Sequence, residues 1–514
     1  MKMNDLNNTL KTQVIIVGAG PTGLSMAAQL LRYGIDFIII EKNERTTPFS
    51  KALVVQARSL EIFDELGIAE KAIKEGQITT AMNVFYKGRR KAAVNINGLG
   101  EGLSPFPYAL SLEQSKTEKL LVDHLASHQK LIQWGCEFSR YEQDDNGVTV
   151  FYTEGNNKEQ RIRADYFVGC DGASSPVRHQ AGLTFEGDTV PKLFYVADTI
   201  LSSPVINRNE LFMFMIRKGF VLFFPMEGEG HYRIVGILPE GNSIKDQFEF
   251  ADIKDHITQN VSVPLGFKEV SWFSSYRVHT RKANSFESKR VYIAGDAAHI
   301  HTPAGGQGMN TGIQDAYNLA WKMAFTIRGQ VGTEILSSYS TERIANAEHL
   351  LRTTDTLFDM MSGVNAFWNF IRLNFVTRII GLLTKSAIVK KRTFPILSQI
   401  GITYAPNCLT VESTIGNVKA GVRMPYFILD DGTQIFDYIN TPAFKILSFG
   451  SDENISTRLS EMKVPVVSHA FKEVPESLFG KSTNFYILLR PDNHISYIGY
   501  ELNKCIAILS KISS

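Results

Sequence analysis

Val14-Ile-Ile-Val-Gly18-Ala-Gly20-Pro-Thr-Gly23 decides the fold of the first part of the chain. Val14 to Val17 is a continuous apolar run, as in strands buried on both faces. A glycine-rich turn follows, then a helical segment from about Thr22 to Tyr33 with Leu24, Ala27, Ala28 and Leu31 on one face. Gly34 stops that helix, and Phe37-Ile-Ile-Ile40 supplies a second buried strand. Together they make a βαβ opening with a parallel sheet. In that setting Gly18 permits the tight turn, Gly20 lets backbone approach a pyrophosphate, and Gly23 allows close helix–strand packing. The helix N-terminus offers N–H groups and partial positive charge to the same anion. Glu41 ends the second strand, where a carboxylate accepts both ribose hydroxyls. An acid there repels a 2′-phosphate, so the loop favours FAD or NAD over NADP. Candidate dinucleotide contacts are Gly18, Ala19, Gly20, Pro21, Thr22, Gly23, Glu41 and Lys42.

The 514 residues suffice for about three domains, and the composition is that of a soluble globular protein. Net charge is +2 with no basic block, which excludes the nucleic-acid footprint. Cys136, Cys170, Cys408 and Cys505 lie far apart, without a CxxC, a disulfide framework or metal-ligand spacing. His299 and His301 lack a third partner and read as loop residues, so no metal is expected. The polar first dozen residues contain no signal-peptide core, and a reducing cytoplasm fits best. Asn365 to Leu383 is apolar at helical spacing but interrupted by Arg372 and Arg378. It reads as an amphipathic packing helix, with peripheral membrane or partner contact as the alternative and no stable insertion. The 33 Phe against 4 Trp suit a well-filled core, or a pocket for a large flat ligand.

Helical patterns recur at about Ser59–Lys74 and Ser115–His128, and strand-like runs at Val148–Tyr152 and Tyr166–Val168. Between 180 and 285 the texture changes to short alternating strands, Glu210–Ile216, Phe220–Pro225 and Tyr232–Ile237, read as a mainly antiparallel sheet. Buried-strand texture returns at Val291–Ala294, followed by a Gly-rich loop and a helix from about Gly312 to Ile327. The expected organisation is a dinucleotide-binding domain over 1–179, an inserted sheet domain over 180–285, completion of the first domain over 286–335, a long helical connector over 336–400, and a C-terminal domain over 401–514. The fold class is α/β.

Two later motifs choose the dinucleotide. One is Asp165-Tyr-Phe-Val-Gly-Cys-Asp171-Gly172-Ala-Ser-Ser175-Pro-Val-Arg178. The other is Arg290-Val-Tyr-Ile-Ala-Gly295-Asp296-Ala-Ala-His299, continuing through Pro303-Ala-Gly305-Gly306-Gln-Gly308-Met309-Asn310-Thr-Gly312 to Asp315. With the opening loop, these resemble the three fingerprints of the para-hydroxybenzoate hydroxylase superfamily of class A flavoprotein monooxygenases, in order, over some 320 residues. The resemblance implies a Rossmann-like FAD-binding domain interrupted by a substrate-binding sheet. It implies that Asp296 bonds the FAD ribitol, that Gly305 to Asn310 (with Gly306, Gly308, Met309 and Asn310 as named contacts) line the flavin's pyrimidine edge, and that Pro303 lies near its reacting face. Asp171 belongs to a motif associated with FAD and pyridine nucleotide, or only holds the Gly172 turn. Gln114, with Glu118 and Leu121 behind it, matches a helix-borne Gln contacting the FAD linker. Arg58 reaches phosphate or the nicotinamide nucleotide, or is a solvated helix-start charge. Lys51 stands where relatives often carry Arg, which weakens the case for NADPH preference.

The resemblance also implies NADPH or NADH as co-substrate, O2, a small aromatic substrate and oxygen transfer from a C4a-hydroperoxyflavin, in a monomer or homodimer. No acid/base catalytic residue is expected. Substrate candidates on the inserted sheet are Phe212, Phe214, Arg217, Phe223, Pro225 and Tyr276, although alternation leaves Phe212/Phe214 and Met213/Met215 undecided. Gly421-Val-Arg-Met-Pro425, Asp431-Gly-Thr433, Phe444–Gly450 and Leu489-Arg-Pro-Asp492 resemble the thioredoxin-like tail of the phenol hydroxylase and rifampicin monooxygenase branch. That branch acts on phenols, polyketide aromatics and aromatic antibiotics. Alternatives are a Baeyer–Villiger or antibiotic-inactivating outcome, or a flavoprotein that binds an aromatic ligand without turnover. Halogenation is disfavoured, because the four Trp are widely separated.

Overall fold

A computed structural model describes residues 10–48, 52–96, 98–155, 158–206, 210–216, 219–238, 248–303, 305–362, 387–450 and 455–513. Strand β1 (Leu10–Val17), helix α1 (Pro21–Arg32) and strand β2 (Phe37–Glu41) form the expected βαβ opening, with Val14 opposite Phe37 in parallel register. Helix α2 (Ala57–Glu65) follows, then the hairpin of β3 (Ala81–Tyr86) and β4 (Arg89–Asn95), and helix α3 (Gln114–Ser127). β5 (Lys158–Gly169) pairs with β1 in parallel, and Val14 to Val17 are buried between β2 and β5.

The inserted sheet comes next. Its members are β6 (Phe185–Ser202), β7 (Glu210–Ile216), β8 (Gly219–Pro225), β9 (His231–Ile237), the covering helix α4 (Phe250–Val261) and β10 (Gly266–Ala283). The eight-stranded order is His299–Ile300, β10, β6, β9, β8, β7, β3, β4. All pairs are antiparallel except β7 with β3. The sheet therefore borrows two strands from residues 81–95, far ahead of the segment where alternation announced it.

β11 (Val291–Ile293) returns to the first sheet beside β5, which aligns Gly295-Asp296 with the Gly18–Gly23 loop at the carboxyl ends of the parallel strands. Ligands of open α/β sheets bind at this edge. Helices α5 (Gly308–Ile327) and α6 (Thr333–Ser362) lead to α7 (Ala387–Leu397). The packing helix expected over Asn365–Leu383 lies outside the described residues. Among those described, no helix is long and apolar enough to cross a membrane.

The C-terminal unit has a four-stranded sheet in the order Val466–Phe471, Phe444–Phe449, Phe485–Leu489, Ile495–Gly499, followed by the helix Leu502–Ile512. One face holds its own core around Phe449, Phe471, Phe479 and Phe485. The other joins the core of the first domain, where the Phe444 ring meets those of Trp321 and Phe325.

Candidate functional site

Helix α1 starts at the loop with no side-chain cap and no acidic residue in its first turn, so its N–H groups and dipole are left for an external anion. The glycines differ in why they are needed. A Cβ on Gly23 would overlap the Gly18 carbonyl oxygen, whereas one on Gly20 would meet nothing within 4 Å. The space over Gly20 is thus not required by the chain's own packing. Glu41 stands beside it, with Oε2 accepting from Ala19 N–H at 2.8 Å and Oε1 from Asn43 N–H at 3.0 Å. Lys42 is exposed at the same edge.

Asp171 Oδ1 accepts from Ser175 Oγ at 2.5 Å and Oδ2 from Val177 N–H at 3.0 Å, so its carboxylate holds the start of the short helix Pro176–Gln180. Burial raises its pKa. Arg178 donates to the carbonyls of Ala173 and Ala297, both at 2.8 Å, and ties the second motif to the third.

Asp296 is exposed on the single turn Gly295–Ala297. A Cβ on Gly295 or Gly312 would overlap Thr22 Oγ1, so the first and third fingerprints meet around one threonine, while a Cβ on Gly18 would overlap the Cys170 carbonyl of the second. Helix α5 also begins without a side-chain cap or an acid in its first turn, and Gly308 and Met309 lie half-buried there. Pro303 is exposed at the loop's start. The Asn310 side chain is fully used by the protein: Oδ1 accepts from Gln56 N–H at 2.8 Å, and Nδ2 donates to Val54 O at 2.8 Å and Gly306 O at 2.9 Å. Only its backbone is left to face a cofactor. Gln56, which the sequence did not single out, also donates from Nε2 to Gly305 O at 3.0 Å.

Behind this loop His301 donates from Nδ1 to Thr302 O at 2.7 Å, which leaves a lone pair on Nε2. That Nε2 and Thr302 Oγ1 are buried without a protein partner. Burial pushes His301 down to about 4, so the ring stays neutral. His299 is held on one nitrogen: its Nε2 donates to Asp315 Oδ2 at 2.8 Å, its Nδ1 is buried without a protein partner, and Asp315 also accepts from Gly295 N–H and Arg343 Nε. No group of three potential metal ligands occurs among the described residues. Two uncapped helix N-termini free of acids, the space over Gly20, the exposed Asp296 and the unpartnered atoms behind the loop fit a dinucleotide carrying flavin.

Gln114 opens α3, and its Nε2 donates to Glu118 Oε1 at 2.8 Å. Burial, with Glu41 adding to it, pushes Glu118 up to about 7. Arg58 requires a correction, since it is not a solvated charge. It is buried, donates to Glu61 Oε2 at 2.9 Å and to the Asp492 carbonyl at 2.8 Å, and lies over the Tyr317 ring. A guanidinium committed in this way has no fork left for phosphate.

The substrate candidates also change. Phe212, Phe214 and Phe223 pack with Phe85, Ile253, Ile257 and Val261 under α4, on the far face of the inserted sheet. Pro225, opposite Tyr232, shares their parity. The opposite face carries Met213, Met215, Leu222, Phe224, Trp272 and Tyr276. Arg233 is on that face, held by Asp198 through two bonds of 2.7 Å, and its Nη1 donates to Ala52 O at 3.1 Å. That last contact turns the methionine face toward the cofactor-binding domain. Tyr276 remains a candidate, whereas Arg217 and Lys51 lie outside the described residues. Trp272 and Arg233 were missed because neither sits in a motif.

Residues 11–354 match a protein family described as FAD binding domain. The chain is 31% identical over 419 residues to 6-methylpretetramide 4-monooxygenase of Streptomyces rimosus, covering 81% of this chain and 74% of that protein. It is 29% identical over 502 residues to the uncharacterized aromatic compound monooxygenase YhjG of Bacillus subtilis, 95% of this chain and 94% of that one. The solved structure of OxyS anhydrotetracycline hydroxylase from Streptomyces rimosus superposes with a TM-score of 0.79 at 26% identity, over 98% of this chain and 99% of that one. The chain belongs to the FAD-binding family of class A, FAD-dependent aromatic monooxygenases.

Proposed function

We propose that the substrate is a neutral, flat, polycyclic phenol of the polyketide or aromatic-antibiotic kind, lying against the methionine face of the inserted sheet. The observation carrying this reading is the character of that face. Methionine, leucine and aromatic side chains line it, and the buried cation it carries among the described residues, Arg233, is matched by Asp198. Burial pushes Tyr276 up to about 12, so it adds no charge at neutral pH. Methionine adapts to extended flat surfaces. The relatives include enzymes named for tetracycline intermediates, rifampicin and pentachlorophenol, in keeping with such ligands.

Bound FAD supplies activation of O2 and transfer of one oxygen atom to the ring at the expense of NAD(P)H. The chain's residues bind and shield. Gly18 to Gly23 and the N-terminus of α1 hold the pyrophosphate, Glu41 the ribose, and Gln114 and Asp296 the linker. The uncapped N-terminus of α5 would favour negative charge on a flavin held beside it. Pro303 and the methionine face exclude water from the reacting side. The domain divisions expected from sequence serve this arrangement, with residues 81–95 added to the substrate sheet. The mixed C-terminal sheet supports a thioredoxin-like reading, one without a dithiol.

The test is NAD(P)H consumption with monocyclic phenols, naphthoquinones and polycyclic aromatics, with 18O2 incorporation followed by mass spectrometry. Polycyclic ligands should accelerate NAD(P)H oxidation most and gain one labelled oxygen. Failure of every ligand to stimulate oxidation, or an unlabelled product, defeats the reading. Asp296→Ala should purify depleted of FAD, and full occupancy would remove Asp296 from the cofactor site.

A further inference from the structure

The turn Arg490–His494 in the C-terminal unit contacts α2, α5 and α6 directly and reaches α1 through Glu65. Its Asp492 carbonyl accepts from Arg58 of α2 at 2.8 Å, and Asp492 Oδ2 accepts from Trp321 Nε1 of α5 at 3.2 Å. Asn493 Nδ2 donates to Glu65 Oε1 at 2.8 Å, and Glu65 accepts from Arg32, the last residue of α1, at 2.7 Å. Arg490 bonds both oxygens of Glu342 on α6, at 2.6 and 3.0 Å.

Two routes lead from this turn to the flavin loop. Arg58 lies two residues from Gln56, whose backbone and side chain hold Asn310 and Gly305. On the second route the His494 ring packs tilted against that of Tyr404, centroids 4.4 Å apart, Tyr404 Oη accepts from Arg343 Nη1 at 3.3 Å, and Arg343 holds Asp315, which accepts from Gly295 N–H at 3.0 Å. Both routes end on backbone of the third fingerprint. We propose that the Arg490–His494 turn is a positioning element of the flavin site, through which the C-terminal unit fixes the loop Gly305–Asn310 and the Gly295 turn. The proposal rests on the reading of that loop as the flavin's seat. Its physical basis is that desolvated charges admit little displacement before their partners are lost. The C-terminal unit thereby acquires a role that needs no cysteine.

The experiment compares FAD affinity of apoproteins by flavin fluorescence titration, together with the bound flavin's absorption spectrum. The variants are Asp492→Asn, Tyr404→Phe and, as a stability control inside the C-terminal core, Ile487→Val. Asp492→Asn should weaken FAD binding about tenfold and Tyr404→Phe about threefold, both with an altered flavin spectrum. Ile487→Val should stay within about twofold of the parent whatever its melting temperature. Unchanged affinity in Asp492→Asn, or equal weakening in Ile487→Val, overturns the proposal. If Asp492→Asn does not fold, Tyr404→Phe decides, and unchanged affinity there overturns it as well. Gly20→Val separates the two readings. Normal FAD binding in that variant defeats the loop assignment, whereas lost binding there with normal binding in Asp492→Asn and Tyr404→Phe defeats only the role of the turn.

Discussion

The same helices end in two opposite environments. At their N-terminal ends, α1 and α5 have no side-chain cap and no acidic residue, and the missing side chain of Gly20 leaves open space at the start of α1. Away from those ends, Arg32, Trp321 and Lys322 are tied into a buried cluster with Glu65, Glu342, Arg490 and Asp492. Burial would raise Glu342, but Arg490 and Lys322 hold it well below the usual carboxylate range. Burial lowers Lys445 beside the cluster to about 7. Backbone groups are offered to a ligand at one end, and charges are satisfied within the chain at the other. A binding site is therefore recognisable here by the donors the protein leaves unused, and a joint by charges it has paired.

Breaking the joint should have the largest effect. Arg490→Met leaves the Glu342 and Asp492 carboxylates buried without their main cation, and denaturant unfolding should show a loss of about 3–5 kcal/mol. A loss below about 1 kcal/mol would make the cluster no stronger than an exposed ion pair and end the contrast. At the open end the expected effect lies on the ligand. Gly20→Val should weaken FAD about a hundredfold, or about 2.7 kcal/mol. The same change should alter apoprotein stability by no more than about 1 kcal/mol, as for a cap position. Gly23→Ala should instead destabilise the apoprotein by about 1–3 kcal/mol, because its Cβ overlaps backbone. Similar stability losses in the two glycine variants would erase the distinction.

The smallest effect sharpens the boundary between the ends. Glu118 is buried next to the cofactor helix, and burial raises it from 4.5 to about 7. Between those values the folded chain holds a proton that the unfolded chain has released, so stability falls as pH rises through this window and levels off above it. Glu118→Gln should flatten that part of the melting-temperature profile of the apoprotein. An unchanged slope would show that Glu118 ionises like an exposed acid.

The sequence was most legible where local pattern and burial agree. Val14–Val17, Gly18, Gly23 and Phe37–Glu41 each carry a local signal, and the fold uses their strands, tight turn and close helix packing as read. It was silent on the inserted sheet's faces, because Leu211-Phe-Met-Phe-Met-Ile216 is apolar at every position and alternation then has no contrast. Only the register with Arg233 and α4 orients it. Arg58 looked like a surface or phosphate charge because its partner, Asp492, lies 434 residues away. Leu489-Arg-Pro-Asp492 carried only a family resemblance, because the groups that bury its charges come from α2, α5 and α6. Pairings of that span leave no trace in local periodicity.

The inserted sheet has a further consequence for how this enzyme can change. Because strict alternation separates the residues packed under α4 from those turned toward the cofactor, fold maintenance and ligand choice fall on interleaved positions of the same strands. Met213, Met215, Leu222, Phe224 and Trp272 form a palette that can be varied while Phe212, Phe214, Val221 and Phe223 are kept. With the substrate seated on that face as proposed, a combinatorial library confined to the first set should shift substrate choice, and melting temperature reports what each change costs the core that Met213 and Met215 also fill.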